Sequence, residues 1–428
     1  MLLPEERLQI KLLMQQEIIP AIGCTEPIAV SLCTAKATET LGGEPEKIDV
    51  SLSANIIKNA MGVGIPGTGM NGLPISVALG ALRGKSEDGL EVLKDLTRNE
   101  VERGKQYIKE KRIHIKLKED ISDKLYIEVL CRRKDDYAKT IIRGSHTSFT
   151  HIEKNGKILY EKKAYVDEES KNKTNNLTFR KIYDYAVTSP VEELHFILDA
   201  AKMNKKAAQA ANHGQFGHNV SKNLQGEKGI HIFGDNLHTK MVASTAGACD
   251  VRMAGALIPV MSNSGSGNQG IAATMPVLTY AEQMKSSEEE LIRALILSNL
   301  MMIYIKQHIG RLSALCGCVV ASTGASCGIT YLMGGSYAQI TFATKNMIAN
   351  ITGMICDGAK PSCALKIASG VSTASLSALM AIENEVVTSQ EGIIDDDVDQ
   401  TIRNLAIIGT EGMVETDKIV LEILTQKQ

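Results

Sequence analysis

Cys356 and Cys363 stand in Met354-Ile355-Cys356-Asp357-Gly358-Ala359-Lys360-Pro361-Ser362-Cys363, separated by an Asp-Gly turn and a Lys-Pro break. Upstream lies Cys316-Gly317-Cys318, with Cys327 beyond it, so five of the nine cysteines fall between residues 316 and 363. Gathered thiolates are what a soft metal centre needs, because sulfur ligands select iron–sulfur clusters, zinc or copper over hard cations. A buried cysteine is otherwise a small hydrophobe. That bland reading competes evenly for Cys318 and Cys327, which sit among Gly, Ala, Ser and Val; it fits Cys356 and Cys363 less well, since they lie on turn chemistry. Three thiolates on a four-iron cluster would leave one iron open as a Lewis acid. Zinc is the rival metal, but the chain lacks a CxxC pair of the usual structural kind.

A fourth position with chemical promise is Cys24, in Gly23-Cys24-Thr25-Glu26-Pro27. Thr25 reads as an N-cap, Glu26 suits the positive end of a helix, and Pro27 fits its first turn. Cys24 then stands just outside a helix N-terminus, where the macrodipole favours thiolate and a catalytic base would be useful. A plain loop cysteine is the equal alternative. Two glycine-rich loops are candidates for holding a substrate carboxylate. One is Gly62 to Gly72; its Gly62, Gly64 and Gly67 match a dinucleotide-binding spacing, but no clean strand precedes them and no acidic strand end follows. The other is Ser262 to Gly270, a small-polar loop whose successive N–H groups form an anion nest. His213 and His218 are the only close histidine pair in a glycine-punctuated loop.

The elements that must position these residues read mostly as helices. Glu5 to Ile19 has helical spacing and ends at Pro20; a second helix, capped by Thr25, runs to Leu41 and stops at Gly42-Gly43. Lys47 to Ser53 alternates like a strand. Leu73–Leu82, Leu90–Leu96 and Asn99–Lys111 read as helices. Residues 112–163 then form a small antiparallel β insertion with a hairpin at Asn155-Gly156, followed by a polar linker from Lys163 to Thr178. Capping boxes at Ser189–Glu192 and Ser287–Glu290 open long helices. The expectation is an α+β fold, with a helical catalytic domain over 1–111 and 164–428.

A net charge of −2 with 22% charged residues gives no nucleic-acid footprint. The N-terminus has no basic region followed by an apolar one, and an odd number of cysteines argues against a disulfide framework, so a cytoplasmic protein is expected. Leu312 to Thr344 and Met253 to Ala281 carry no formal charge and are long enough to span a bilayer. Both are rich in Gly, Ser and Thr without Lys/Arg flanks or an aromatic belt, so burial is expected rather than a membrane.

Leu312-Ser313-Ala314-Leu315-Cys316-Gly317-Cys318, Asn350 to Ala364 and Gly23 to Pro27 resemble the L-cysteine desulfidase family, which is related to the alpha chain of iron–sulfur L-serine dehydratases. The resemblance runs over nearly the whole chain, and the motif after Thr352 is its specific part. It implies a 4Fe–4S cluster on three cysteines and a cysteine base that takes the substrate's α-proton. Carried onto this chain, Cys356 and Cys363 would be cluster ligands and Cys24 the base. The third ligand falls on Cys316-Gly317-Cys318; Cys316 is preferred, with Cys318 open. The implied reaction is β-elimination of L-cysteine to hydrogen sulfide, ammonia and pyruvate. The same chemistry on serine is the alternative, and a pyridoxal phosphate lyase using Lys360 or Lys345 is a second. The expected partner is a small amino-acid substrate, without nucleic acid or membrane; a homo-oligomer is left open. A metal sensor would need a DNA-binding segment, and none is visible.

Overall fold

The computed structural model describes residues 2–119, 121, 123, 125–162, 177–310 and 313–426. The expected linker falls outside these residues except for Leu177 and Thr178, and Leu312 falls outside as well.

The fold is α+β. Helix α1 (Pro4–Glu17) leads through strand β1 (Pro20–Ala21) to α2 (Thr25–Leu41), which ends at Gly42 in the left-handed region. Strand β2 (Lys47–Leu52), α3 (Ala54–Ala60), α4 (Leu73–Leu82) and α5 (Arg98–Lys109) follow. Next come β3 (Ile113–Leu117), β4 (Tyr126–Arg133), β5 (Asp136–Arg143), β6 (Phe149–Lys154) and β7 (Lys157–Glu161). Their sheet has the order β3-β2-β4-β5-β6-β7. It therefore reaches outside 112–163. Strand β2 lies between β3, to which it is parallel, and β4, to which it is antiparallel, so the sheet is mixed rather than purely antiparallel. The physical reason is that Ile48, Val50 and Leu52 are fully buried, and an interior strand buries an apolar row that an edge would expose. Asn155 and Gly156, both at positive φ, close the β6–β7 hairpin as expected. The helix expected over Leu90–Leu96 is absent; a 3-10 turn at Ser86–Glu91 takes its place.

From Phe179 onward the described chain is helical: α6 (Phe179–Thr188), α7 (Leu198–His213), α8 (Leu237–Met253), then the short β8 (Val260–Met261) paired with β1, and α9 (Gly267–Met284). Helices α10 (Glu288–Ile309), α11 (Gly317–Leu332), α12 (Tyr337–Ile351), α13 (Cys363–Ile382), α14 (Val398–Ile407) and α15 (Val414–Thr425) complete it. Ser287 and Glu290 form the expected capping box, and α10 stops at Gly310. Ser189 does not cap; Pro190 takes that place and opens only the four-residue turn Val191–Leu194.

Two apolar cores result. One packs α2, α4 and the inner face of the sheet; the other joins α1 and the helices from α6 onward. Helix α2 connects them, with Cys24 in the helical core and Ile28 to Leu41 in the sheet core. The uncharged stretches expected to be buried form α9 and α11, whose side chains lie almost wholly inside. Helix α13 is, among the described residues, long and apolar enough to cross a bilayer by length and composition. Here Ala364, Ile367, Val371, Ala374 and Ala378 are buried, and the helix packs against α8, α11 and α12.

Candidate active site

Two distant segments are stitched together to gather the thiols. Leu315 pairs antiparallel with Ile355, Cys316 N–H donates to Met354 O at 2.9 Å, and Cys356 N–H donates to Ala314 O at 2.6 Å. This places Cys316 and Cys356 on adjoining strands of one small bridge. The chain then turns at Gly358, at φ +96°, where a Cβ would lie 2.1 Å from Lys58 O on α3. Asp357 is held by the ammonium groups of Lys360 and Lys366. Lys360 Nζ also donates to Asp357 O and Lys366 Nζ to Ile355 O, each at 2.8 Å. Burial alone would raise the Asp357 carboxyl, but the two lysines outweigh it and bring it down to about 2. Cys363 then begins α13, its N–H bonded to Lys360 O at 2.9 Å.

Gly358→Ala should therefore damage the loop doubly. The backbone conformation alone costs an L-residue about 1–3 kcal/mol, and the methyl group would displace α3. A lowered denaturant midpoint with loss of any metal bound by this loop is expected; a midpoint unchanged from wild type would show that the loop does not rest on Lys58.

Cys24, Cys316, Cys318, Cys356 and Cys363 all border one cavity of about 410 Å³ at the seam between the two cores. Four helices point their N-termini at it. Cys24 caps α2, Ser266 caps α9, Cys316 caps α11, and Cys363 is the first residue of α13. Aligned helix dipoles make such a place favourable for negative charge. Burial pushes the Cys316 thiol well up, and its neighbours Cys318, Cys356 and Cys363 push it further. Burial raises the Cys318 and Cys363 thiols too, so Cys316, Cys318 and Cys363 resist ionising unless a cation joins them.

The two candidates in Cys316-Gly317-Cys318 differ. Cys318 Sγ lies 3.2 Å from Lys366 O and 3.5 Å from Ser322 Oγ, so its thiol proton is used in packing α11 onto α13. A metal-bound thiolate has no proton to donate there. Cys327 lies fully buried farther along α11, against Thr344 at 3.2 Å, as a core residue outside the cavity. Among the described residues no three His, Cys, Asp or Glu side chains are gathered tightly enough for a single metal ion. A four-iron cluster takes each thiolate on a different iron, so thiols spread around a cavity fit it better than they fit zinc.

Cys24 is itself the N-cap, with Thr25 the first helical residue. The expectation that the helix end favours thiolate meets a stronger effect. Cys24 is 4% exposed, and burial, reinforced by Glu26, pushes its thiol far up despite Arg252 nearby. Its Sγ donates to Glu26 Oε2 at 3.2 Å, which Thr25 Oγ1 also reaches at 3.1 Å. The resting state is a thiol hydrogen-bonded to a carboxylate.

Of the two glycine-rich loops, Ser264, Gly265 and Ser266 border the cavity, whereas nothing from 62–72 does. The Gly62–Gly72 loop instead braces the end of α8, with Gly64 N–H on Met253 O at 2.9 Å and Gly67 N–H on Gly255 O at 3.1 Å. Lys345, 9% exposed, donates to Asp396 O at 2.8 Å on another face, and Lys360 is occupied by Asp357. Neither borders the cavity, nor do His213 and His218. Asn268 and Gln269 of the Ser262–Gly270 loop do border it, and so does Arg252, which sequence reasoning passed over. The readable signal for Arg252 was Asp250-Val251-Arg252, charges set in an otherwise apolar helical run.

The cavity bordered by these thiols, with the buried Cys24–Glu26 pair at its wall, is the candidate active site. The chain belongs to the serine dehydratase alpha chain family, whose model matches residues 87–422. That match covers Cys316, Cys356 and Cys363 and begins after Cys24. A UPF0597 protein of Bacteroides fragilis is 64% identical over 422 residues, covering 99% of each chain. A UPF0597 protein of Porphyromonas gingivalis is 50% identical over 97% of this chain and 98% of its own, and one of Oleidesulfovibrio alaskensis is 42% identical over the full length of both. The family is associated with iron–sulfur serine dehydratases, and the chain is a serine dehydratase-like enzyme.

Proposed function

We propose that the chain is an L-cysteine desulfidase: it eliminates sulfide from L-cysteine, and the aminoacrylate released hydrolyses to pyruvate and ammonia. The observation that carries this reading is the convergence of Cys316, Cys356 and Cys363 on the cavity that Cys24 borders. Those three cysteines would hold a 4Fe–4S cluster, whose open iron, when bound, supplies a Lewis acid for the substituent leaving the β-carbon. Cys24 acts as the base at the α-carbon. Because it rests as a thiol, its proton first passes along the existing hydrogen bond to Glu26, and the thiolate so formed takes the α-proton. The α–β double bond forms as sulfide departs.

A cytoplasmic setting suits this reading, since all nine cysteines are free. The partner is a small amino acid rather than a nucleic acid or membrane. A second reading, dehydration of L-serine, is favoured by the family match at 87–422. The two are separated by the pyruvate formed from each amino acid by anaerobically purified protein, without added pyridoxal phosphate. L-cysteine should give the higher kcat/KM with one sulfide per pyruvate. Equal or faster turnover of L-serine would move the chain to the dehydratase branch.

A further inference from the structure

Arg252, on the last turn of α8, is a buried cation with no carboxylate in ion-pair distance among the described residues. It is 2% exposed and borders the cavity. Its Nη2 donates to Gly23 O at 2.9 Å, and its Nε–H has no partner among the described residues. The nearest acid in sequence, Asp250, accepts instead from His218 N–H at 3.0 Å and Val220 N–H at 2.7 Å. An uncompensated guanidinium in such a place is costly unless an anion completes it.

On the facing turn of α9 the imbalance has the opposite sign. Among the described residues, Gln269, 8% exposed, has no partner for Oε1, nor has Asn268 for Oδ1. Asn268 Nδ2 is engaged, 3.3 Å from Met253 Sδ. These are acceptors awaiting a donor. Two glycines make room for the side chains. A Cβ on Gly267 would fall 2.3 Å from Arg252 Nε, and one on Gly317 would fall 2.3 Å from Gln269 Nε2. A cavity that presents an unmatched cation beside unmatched carbonyl oxygens is complementary to a zwitterion.

We propose that Arg252 binds the α-carboxylate of the amino-acid substrate and that Gln269, with Asn268 beside it, accepts its α-ammonium group. The inference rests on the amino-acid reading above and names how that site holds its substrate. The placement has a consequence for the chemistry. Arg252 is bonded to the carbonyl of Gly23, the residue before Cys24, so a carboxylate on its guanidinium brings the adjoining α-carbon toward the Cys24 thiol. The helix α9 N-terminus at Ser266 adds positive potential to the same side.

The test is calorimetric titration of the anaerobic holoenzyme with two unreactive probes. L-alanine carries both groups but no leaving group; propionate carries the carboxylate alone. Arg252→Gln should weaken both about 10–100-fold, the range for losing a charge-assisted hydrogen bond. Gln269→Leu should weaken L-alanine about 10-fold or more and leave propionate unchanged, because only the ammonium contact is lost. This second variant keeps the buried cation and so decides the matter where Arg252→Gln does not fold. Wild-type affinity for L-alanine in the folded variants, with turnover intact, overturns the clamp alone. Equal weakening of both probes by Gln269→Leu overturns the ammonium assignment. Unchanged binding with reduced turnover in Arg252→Gln makes that residue an electrostatic partner of Cys24 instead. A wild type that turns over neither amino acid and binds neither probe overturns the clamp together with the reading beneath it.

Discussion

Cys24→Ala should keep its iron and still bind L-cysteine, yet lose about 10²–10⁴-fold in kcat, the usual contribution of a positioned base. Cys24→Ser should fail almost as badly, since a hydroxyl hydrogen-bonded to Glu26 in this setting stays protonated. The pair formed by Cys24 Sγ and Glu26 Oε2 at 3.2 Å makes a sharper expectation available. In the free protein, burial and the Glu26 charge hold the thiol protonated. Alkylation by iodoacetamide at neutral pH should therefore be slower than for an ordinary thiol and should rise past about pH 8.5. Glu26→Gln should speed that alkylation, because it removes a negative charge that opposes ionisation, and should slow turnover, because it removes the proton's destination. Opposite movements of the two rates identify Glu26 as the acceptor for the Cys24 proton. A Cys24→Ala protein with near-normal turnover would return that residue to simple packing; a colourless one would make it a cluster ligand.

Replacing Cys316, Cys356 or Cys363 by Ser, one at a time, should leave the anaerobic protein without most of its iron. Cys318→Ser should keep its iron and lose a little stability. The difference between neighbours follows from what each thiol already does. Cys318 is committed to Lys366 O at 3.2 Å, while Cys316 sits at the cap of α11 with its backbone stitched to Met354. Serine in place of Cys318 can keep that hydrogen bond, whereas serine at a ligand position replaces a soft donor with a hard, protonated one. Iron and acid-labile sulfide per chain decide the outcome. Iron retained in Cys316→Ser and lost in Cys318→Ser would exchange the two assignments.

What could be read from the chain was local. Gly42 ending α2, the Ser287–Glu290 box, the Asn155-Gly156 hairpin and the alternation of Lys47–Ser53 each depend on residues a few positions apart, and each appears as expected, the strand one residue shorter because Ser53 caps α3. The place of β2 between β3 and β4 was not legible, because its partners are distant in sequence and period-2 alternation does not say which neighbour a strand finds. Ser189 misled because Pro190 took the capping position.

The site divides the same way. The cysteines announced themselves by type and spacing, and the helix end beside Cys24 was readable. The helix dipole alone favours thiolate, and burial with Glu26 beside it reverses that ionisation. Glycine-rich spacing suggests ligand loops in two places. At Ser262–Gly270 the loop does reach the cavity; at Gly62–Gly72 the same residue type serves close packing against α8. Arg252 carried only a faint signal, since what marks it is an Nε–H with no partner among the described residues.

The central claim is that three thiolates of this cavity carry an iron–sulfur cluster that the enzyme uses in elimination. Its most direct test is iron and acid-labile sulfide analysis, with the absorption spectrum, on protein purified without oxygen. The account predicts a brown protein with about four irons and about four sulfides per chain, lost on oxidation together with pyruvate formation. A colourless protein that contains zinc, or one whose spectrum is that of bound pyridoxal phosphate, and that forms pyruvate at full rate without iron, would contradict it.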